Sequence, residues 1–349
     1  MIEELRGEMS QVDAELVKLL DRRAKLAKKV GMARKDAPNA PIAERAAMIE
    51  LAATSSGDMP ETSLREILGR IHAECLALEV PVPIAYAGPE GGRGDAAARS
   101  RFGDSSSYVR TDDATLAFEE VTQKRAQFAV VPLETRTDGP VQSTILALMA
   151  SDLRIVSCFE VAENLDLVSR TGTTAGLDKI YAMPSDHAAS SKLLAETVSA
   201  APVLDVRSPA AGAERALEDS AAAAVVSRGM AEAYKLTVVK SGVRDGGDER
   251  VRYAIVGARP SARTGDDLTA LALSVADSPG ALHEVLKQFA ERGINLTKIQ
   301  SRPTPGESWQ YLFFIEVQGH ATDRTIVGAI EEVRRHSRFF KVLGSYTTT

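Results

Sequence analysis

A run of apolar residues at alternating steps of four and three opens the chain, and it leaves the first part of the sequence little choice of fold. Leu5, Met9, Val12, Leu16, Leu19, Leu26 and Val30 fall along one side of an α-helix, at the spacing that long paired helices use. One place in the pattern is skipped. Position 23, where an apolar side chain is due, carries Arg23. Asp36, Pro38 and Pro41 end this helix, predicted over 2 to about 35. A second helix is predicted over about 43–54. Ser55-Ser56-Gly57 and Pro60 separate it from a third, whose stripe is Leu64, Ile67, Leu68, Ile71, Cys75 and Leu78. Pro81 and Pro83 close it.

From Ile84 the texture changes to short apolar runs alternating with Ala-rich amphipathic segments. PIAYAG, FAVVPL, RIVSCFEV, LDLVSR, KIYAM, PVLDV, AAAVVS and YAIVG read as strands. Helices are predicted near 95–101, 141–150, 187–199 and 209–218. This is the rhythm of an α/β domain long enough for two lobes. RPSARTGDD (259–267) is a linker by composition. After it, LTALALSV, a helix from Pro279, INLTKIQS, YLFFIEV, a helix at about 323–335 and FKVLGSY give βαββαβ, a ferredoxin-like order.

A length of 349 residues asks for two or three domains. With 44% hydrophobic and 26% charged residues, the composition is that of a soluble globular protein. A net charge of -6 speaks against a nucleic-acid partner, and no apolar run reaches the ~20 residues that span a membrane. The start MIEELRGEM lacks the basic-then-apolar order of a signal peptide, so a cytoplasmic protein is expected. Cys75 and Cys158 are expected as reduced, buried thiols. The five histidines show no ligand-like spacing, and neither metal nor cofactor is expected.

These segments resemble, in order, the three modules of the bifunctional chorismate mutase/prephenate dehydratases, the P-protein family. LRGEMSQVDAELVKLLDRRAKLAKKVG is similar to the all-helical chorismate mutases, intertwined dimers whose long first helices pair. That rearrangement of a dianion needs no nucleophile. It needs cations on two carboxylates and a donor at the ether oxygen. The resemblance assigns these roles to Arg6, Arg23, Arg34 and Arg45, with Glu79 as a protonated donor and Cys75 beside it. The family usually has Lys at position 34, with Lys35 adjacent here, and often Glu where this chain has Ala46. The plainer reading of Arg23, which its place in the pattern disfavours, is a snorkelling surface arginine, and Glu79 is equally a solvated carboxylate at a helix end.

PIAYAGPEGGRGDAAA resembles the opening strand, turn and helix of prephenate dehydratases. Gly88, Pro89, Glu90 and Gly91 match, whereas Gly92, Arg93 and Gly94 do not. In VVPLETRTDGPV, Glu134 and Gly139 match, but Thr135 and Arg136 replace an Asn and a Ser. The family's Ser-His-Pro reads Ala182-Met183-Pro184, its Ser-Thr-Ala reads Ser208-Pro209-Ala210, and its Thr-Arg-Phe reads Val251-Arg252-Tyr253. The resemblance makes Glu134, Thr135, Val251 and Arg252 the dehydratase positions. The family's Thr protonates the leaving hydroxyl, and Val251 has no proton to give. Arg252 is expected to grip a carboxylate, and the Tyr253 phenol to face the other side of the strand. Three readings stay open: dehydration with substitute residues, a repurposed prephenate decarboxylase, and a non-catalytic ligand-sensing regulator.

DSPGALHEVLKQFAERGINLTKIQSRP resembles the phenylalanine-sensing ACT domain. The resemblance assigns effector binding to Gly280, Ala281 and Leu282, and to Gln300, Ser301, Arg302 and Pro303. Gln300 stands where the family has Glu. A module that only dimerises is the plainer alternative.

The expected architecture is therefore multidomain. It comprises an all-α three-helix mutase module (1–82), a two-lobed α/β, periplasmic-binding-protein-like dehydratase module (83–260) and an α+β ferredoxin-like ACT domain (266–349). Chorismate and prephenate are the implied substrates and L-phenylalanine the implied effector, in a homodimer or homotetramer.

Overall fold

The structure, a computed structural model, describes residues 1–33, 51–52, 54, 57–79, 83–137, 139–199, 201–247, 249–303 and 311–347. Helix α1 spans Ile2–Ala33 and α2 spans Glu61–Glu79. The helix predicted over 43–54 lies largely outside the described residues, as do Arg34, Lys35, Arg45 and Ala46. The two helices run parallel. Arg23 Nη1 donates to the Ile71 carbonyl at 3.4 Å. Eight residues further along each helix, a Cβ on Gly31 would lie 2.0 Å from the Glu79 carbonyl oxygen. The last turns therefore meet backbone to backbone, which only glycine permits.

The apolar stripe of α1 does not face α2. Leu5, Met9, Val12, Leu16, Leu19 and Leu26 are between 51% and 66% exposed. Helix α2 instead buries Leu76 in the core of the next module, against Phe102 and Phe128. Glu74 fastens the same contact by accepting from the Asp104 amide at 2.9 Å and the Ser105 hydroxyl at 2.7 Å.

The middle module has two lobes. The first is a six-stranded sheet containing β1 (Pro83–Ala87), β2 (Ser107–Thr111), β3 (Phe128–Thr135), β4 (Gly139–Pro140) and β5 (Arg154–Glu163). Strand β11 (Glu249–Gly257) returns from the second lobe to lie antiparallel between β3 and β5. Helices α3 (Arg93–Phe102), α4 (Ala114–Thr122) and α5 (Gln142–Ala150) cover this sheet. The second lobe orders its strands β10-β6-β9-β7-β8: Thr237–Lys240, Asp166–Ser169, Ala222–Val226, Lys179–Ala182 and Val203–Asp205. The chain crosses between lobes twice, after Glu163 and before Glu249.

The helix expected over 187–199 forms as two short pieces, α6 (Pro184–Ala188) and α7 (Ser191–Thr197). Asp245 causes the break. Its carboxylate accepts from the Lys192 and Leu193 amides at 2.9 and 3.0 Å, capping a new helix start. Beyond these lie α8 (Pro209–Glu218) and α9 (Arg228–Ala233).

The last module follows the expected order: β12 (Leu268–Ser274), α10 (Ala281–Ala290), β13 (Leu296–Pro303), β14 (Tyr311–Gln318), α11 (Arg324–His336) and β15 (Phe339–Tyr346). Its helix α10 starts two residues after Pro279, because Gly280 turns into the chain with φ +83°. One face of this antiparallel sheet, with Leu271, Leu273, Ile315 and Val317, packs on α10 and α11. The other face, with Ala270, Ala272 and Phe314, shares a core with Val131, Leu133, Ala254 and Val256 of the first lobe. The last module's sheet is thus packed directly on the first lobe.

Candidate active site

Between the two lobes lies a cavity of about 330 Å³. Its floor is the family-like turn at Ala87–Pro89 and the start of α3, and its walls include Thr135, Val251, Met183 and Met230. Gly94 makes the turn possible. A Cβ there would sit 2.1 Å from the Ala87 carbonyl oxygen, so α3 can start against β1 only without a side chain. The turn is braced from below by buried Asp95, which accepts from the Gly91 amide at 2.9 Å and pairs with Arg99 at 2.8 Å.

The cavity holds a charge cluster that sequence reasoning missed. Arg93 Nη2 donates to Asp186 Oδ1 at 2.7 Å, joining the first lobe to the second. Arg93 Nε lies 3.1 Å from Glu163 Oε2. The Tyr253 hydroxyl donates to Glu163 Oε1 at 2.7 Å. Burial pushes the Glu163 carboxyl above the ordinary carboxylate range, although Arg93 and the Tyr253 hydroxyl pull the other way. Burial, then the charge of Glu163, pushes the Tyr253 phenol well above its usual value. The cluster's members are scattered along the sequence. The one available hint was the carboxylate that ends β5, at Glu163.

The position of Tyr253 overturns an expectation. Residues two apart on a strand share a face, and Val251 and Tyr253 both line the cavity. Arg252 is the one that points away. Its Nη1 donates to Glu316 Oε2 at 3.0 Å, its Nη2 also pairs with Glu316, and Nη2 lies 3.3 Å from Glu134 Oε2. Lys298 pairs with Glu134, and the Tyr346 hydroxyl donates to Glu316 Oε1 at 2.5 Å. Of the four dehydratase positions, Thr135 and Val251 therefore reach the cleft. Glu134 and Arg252 instead form a buried network between the middle and last modules, because alternation along β3 and β11 turns them to the opposite face.

In the first module Arg6 is exposed, Arg23 and Glu79 are half-buried and Cys75 is buried. Arg23 lies level with Ile71, one turn from Cys75 and two from Glu79 along the same seam. Arg6 is 17 residues from Arg23, roughly 25 Å along one helix.

In the last module Ser274 pairs with Leu312, which pairs with Arg302. The segments 280–282 and 300–303 therefore share one end of the sheet. Gln300, Arg302 and Pro303 line a small hollow with Pro140, Ile145 and Phe314 against the first lobe, and Ser301 does not. No group of three or more metal-ligating side chains occurs among the described residues.

Comparison with known proteins bears on the whole chain. Residues 5–80 match the model of chorismate mutase type II, 84–261 that of prephenate dehydratase and 269–335 that of the ACT domain. A bifunctional chorismate mutase/prephenate dehydratase of Aquifex aeolicus is 34% identical, over 99% of this chain and 97% of that protein. One from Neisseria gonorrhoeae is 31% identical, over 98% and 96%. Among solved structures, the prephenate dehydratase of Arthrobacter aurescens in complex with L-Phe is 32% identical with a TM-score of 0.69, covering 76% of this chain and 90% of that one. Module order, cleft and near-complete coverage agree, and the chain belongs to the bifunctional chorismate mutase/prephenate dehydratase family.

Proposed function

We propose that this protein converts chorismate to prephenate in its helical module and prephenate to phenylpyruvate in the interlobe cleft, with L-phenylalanine acting through the ACT domain. The observation that carries the reading is the match to bifunctional relatives over 99% of the chain. Neither a decarboxylase nor a regulator without turnover is favoured by those relatives. No described helix is long and apolar enough to cross a membrane, and the chemistry fits a cytoplasmic enzyme.

The mutase site draws on Arg23, with Cys75 and Glu79 along its seam. Arg6 is too far along the same helix to reach that pocket. It serves the site of a second copy, whose α1 would cover the exposed apolar stripe. A homodimer, or a dimer of dimers, follows from that need. Arg34 and Arg45 complete the proposed carboxylate grip, and Gly280–Leu282 with Gln300–Pro303 the effector site.

Product analysis after incubation with chorismate, with and without L-phenylalanine, tests the reading. Phenylpyruvate that falls when L-phenylalanine is added supports it. Turnover stopping at prephenate would remove the dehydratase, and a non-aromatic keto acid would indicate decarboxylation instead. Removing a group that holds transition-state charge costs about 10²–10³ in rate. We therefore expect Arg23→Ala to lower chorismate turnover by that factor while phenylpyruvate formation from supplied prephenate persists. Steady-state assays on each substrate separate the two.

A further inference from the structure

We propose that Glu163 is the acid that protonates the departing hydroxyl in the cleft, with Tyr253 and Arg93 as its positioning residues. The proposal rests on the dehydratase reading and supplies what that reading lacks, since Val251 stands where the family's proton donor would be. Glu163 is 8% exposed and lines the cavity. Its Oε1 is held by the Tyr253 hydroxyl at 2.7 Å. Its Oε2 lies 3.1 Å from Arg93 Nε yet accepts no hydrogen bond among the described residues. Burial and the unbonded Oε2 favour the protonated form, against the pull of Arg93 and the Tyr253 hydroxyl.

The other donors around the cavity are weaker choices. Thr135, Ser185 and Ser227 offer aliphatic hydroxyls, far poorer acids than a carboxyl. The Tyr253 phenol is held well above 10 by burial. Asp186 makes the shorter contact with Arg93, at 2.7 Å, and serves as the partner that holds that guanidinium. The charged and titratable groups facing Glu163 are Arg93, Tyr253, Arg244 and Asp186, with Glu249 opposite it on the neighbouring strand. Prephenate brings two carboxylates. One of them placed on Arg93 draws that cation's charge away and adds an anion nearby, and both effects raise the proton affinity of Glu163. Substrate binding thereby loads the acid.

The step balances without a redox partner. The Glu163 proton passes to the hydroxyl oxygen at ring C4, and the C4–O bond breaks with its electron pair leaving in water. The bond from C1 to its carboxylate breaks, its pair enters the ring, and carbon dioxide departs. Solvent returns the proton to Glu163.

Phenylpyruvate formation from prephenate by the full chain, followed across pH, tests this. Loss of a general acid costs about 10²–10⁴ in rate, so Glu163→Gln should lose at least the lower figure in kcat with KM little changed. The wild-type rate should fall as pH rises through the pKa of Glu163, and that limb should vanish in Glu163→Gln. Glu163→Asp should recover part of the rate. Tyr253→Phe removes a bond that favours the carboxylate, so its limb should move to higher pH, a shift that a merely structural tyrosine would not produce. Denaturant midpoints, with mutase activity on chorismate beside them, report folding of each variant. Should Glu163→Gln keep the wild-type rate and limb, or the Tyr253→Phe limb stay put, the assignment is overturned while the dehydratase reading stands. If the wild-type protein makes no phenylpyruvate from prephenate, both fall together.

Discussion

Replacing Glu316 with alanine is expected to destabilise the protein by about 3–5 kcal/mol, the usual cost of leaving one partner of a buried ion pair alone. Glu316 is 1% exposed and belongs to strand β14 of the last module's sheet. It takes two bonds from Arg252 and one from Tyr346. Without it, the guanidinium keeps only the 3.3 Å contact with Glu134 and the Tyr346 hydroxyl loses its acceptor. Burial by itself would lower the pKa of Arg252, but neighbouring Tyr346, Cys158 and Glu316 raise it above the ordinary value, so the group cannot escape by losing its proton. Removing both charges with residues of similar volume, Arg252→Met with Glu316→Leu, should cost much less than the single change, because such swaps are often neutral. Denaturant midpoints of the three variants decide the matter. A loss below about 1 kcal/mol for Glu316→Ala, the scale of an exposed pair, would mean that water reaches the network.

The second large effect belongs to Gly94. A methyl there must sit 2.1 Å from the Ala87 carbonyl oxygen, and neither partner is a side chain that can rotate aside. The start of α3 has to move, and Arg93, the residue before, moves with it. A misplacement near 1 Å at a reacting centre costs about 10² in rate. Gly94→Ala should therefore lower prephenate turnover by roughly that factor, with an added stability loss of about 1–3 kcal/mol from overpacking. The mutase module touches α3 at its far end, through Leu76 beside Phe102, and its rate should fall far less. Parallel assays on the two substrates check it, and undiminished prephenate turnover would show that the turn can relax.

Architecture was readable from the sequence where side-chain periodicity was strong. The stripes of α1 and α2, the apolar runs of β3, β5, β9 and β11, and the βαββαβ order at the end all appear where the pattern put them. Strand β2, SYVRT, was missed because it is a five-residue edge strand whose neighbours Tyr108 and Val109 pack into two different cores, so no alternation shows. Strand β10 and helix α9 are short, and their boundaries are set by tertiary contacts such as Arg228 with Asp166 at 2.7 Å. The site was only partly legible. Motif matching found the right strands but not the right faces, so Glu134 and Arg252 were grouped with Thr135 and Val251 although one pleat separates them. Arg93, Glu163 and Asp186 could not be paired in advance. They lie in three segments far apart in the sequence, and only the meeting of the lobes makes them a group.

The place of Leu76 has a consequence for how such a chain can be taken apart. Its side chain belongs to the hydrophobic interior built by Phe102 and Phe128, although it arrives on a helix of the module before. Cutting the gene between the first two units would leave a greasy hollow on one fragment and an orphaned leucine on the other. A stand-alone descendant of either half would have to acquire polar replacements at that seam before it could live in water on its own.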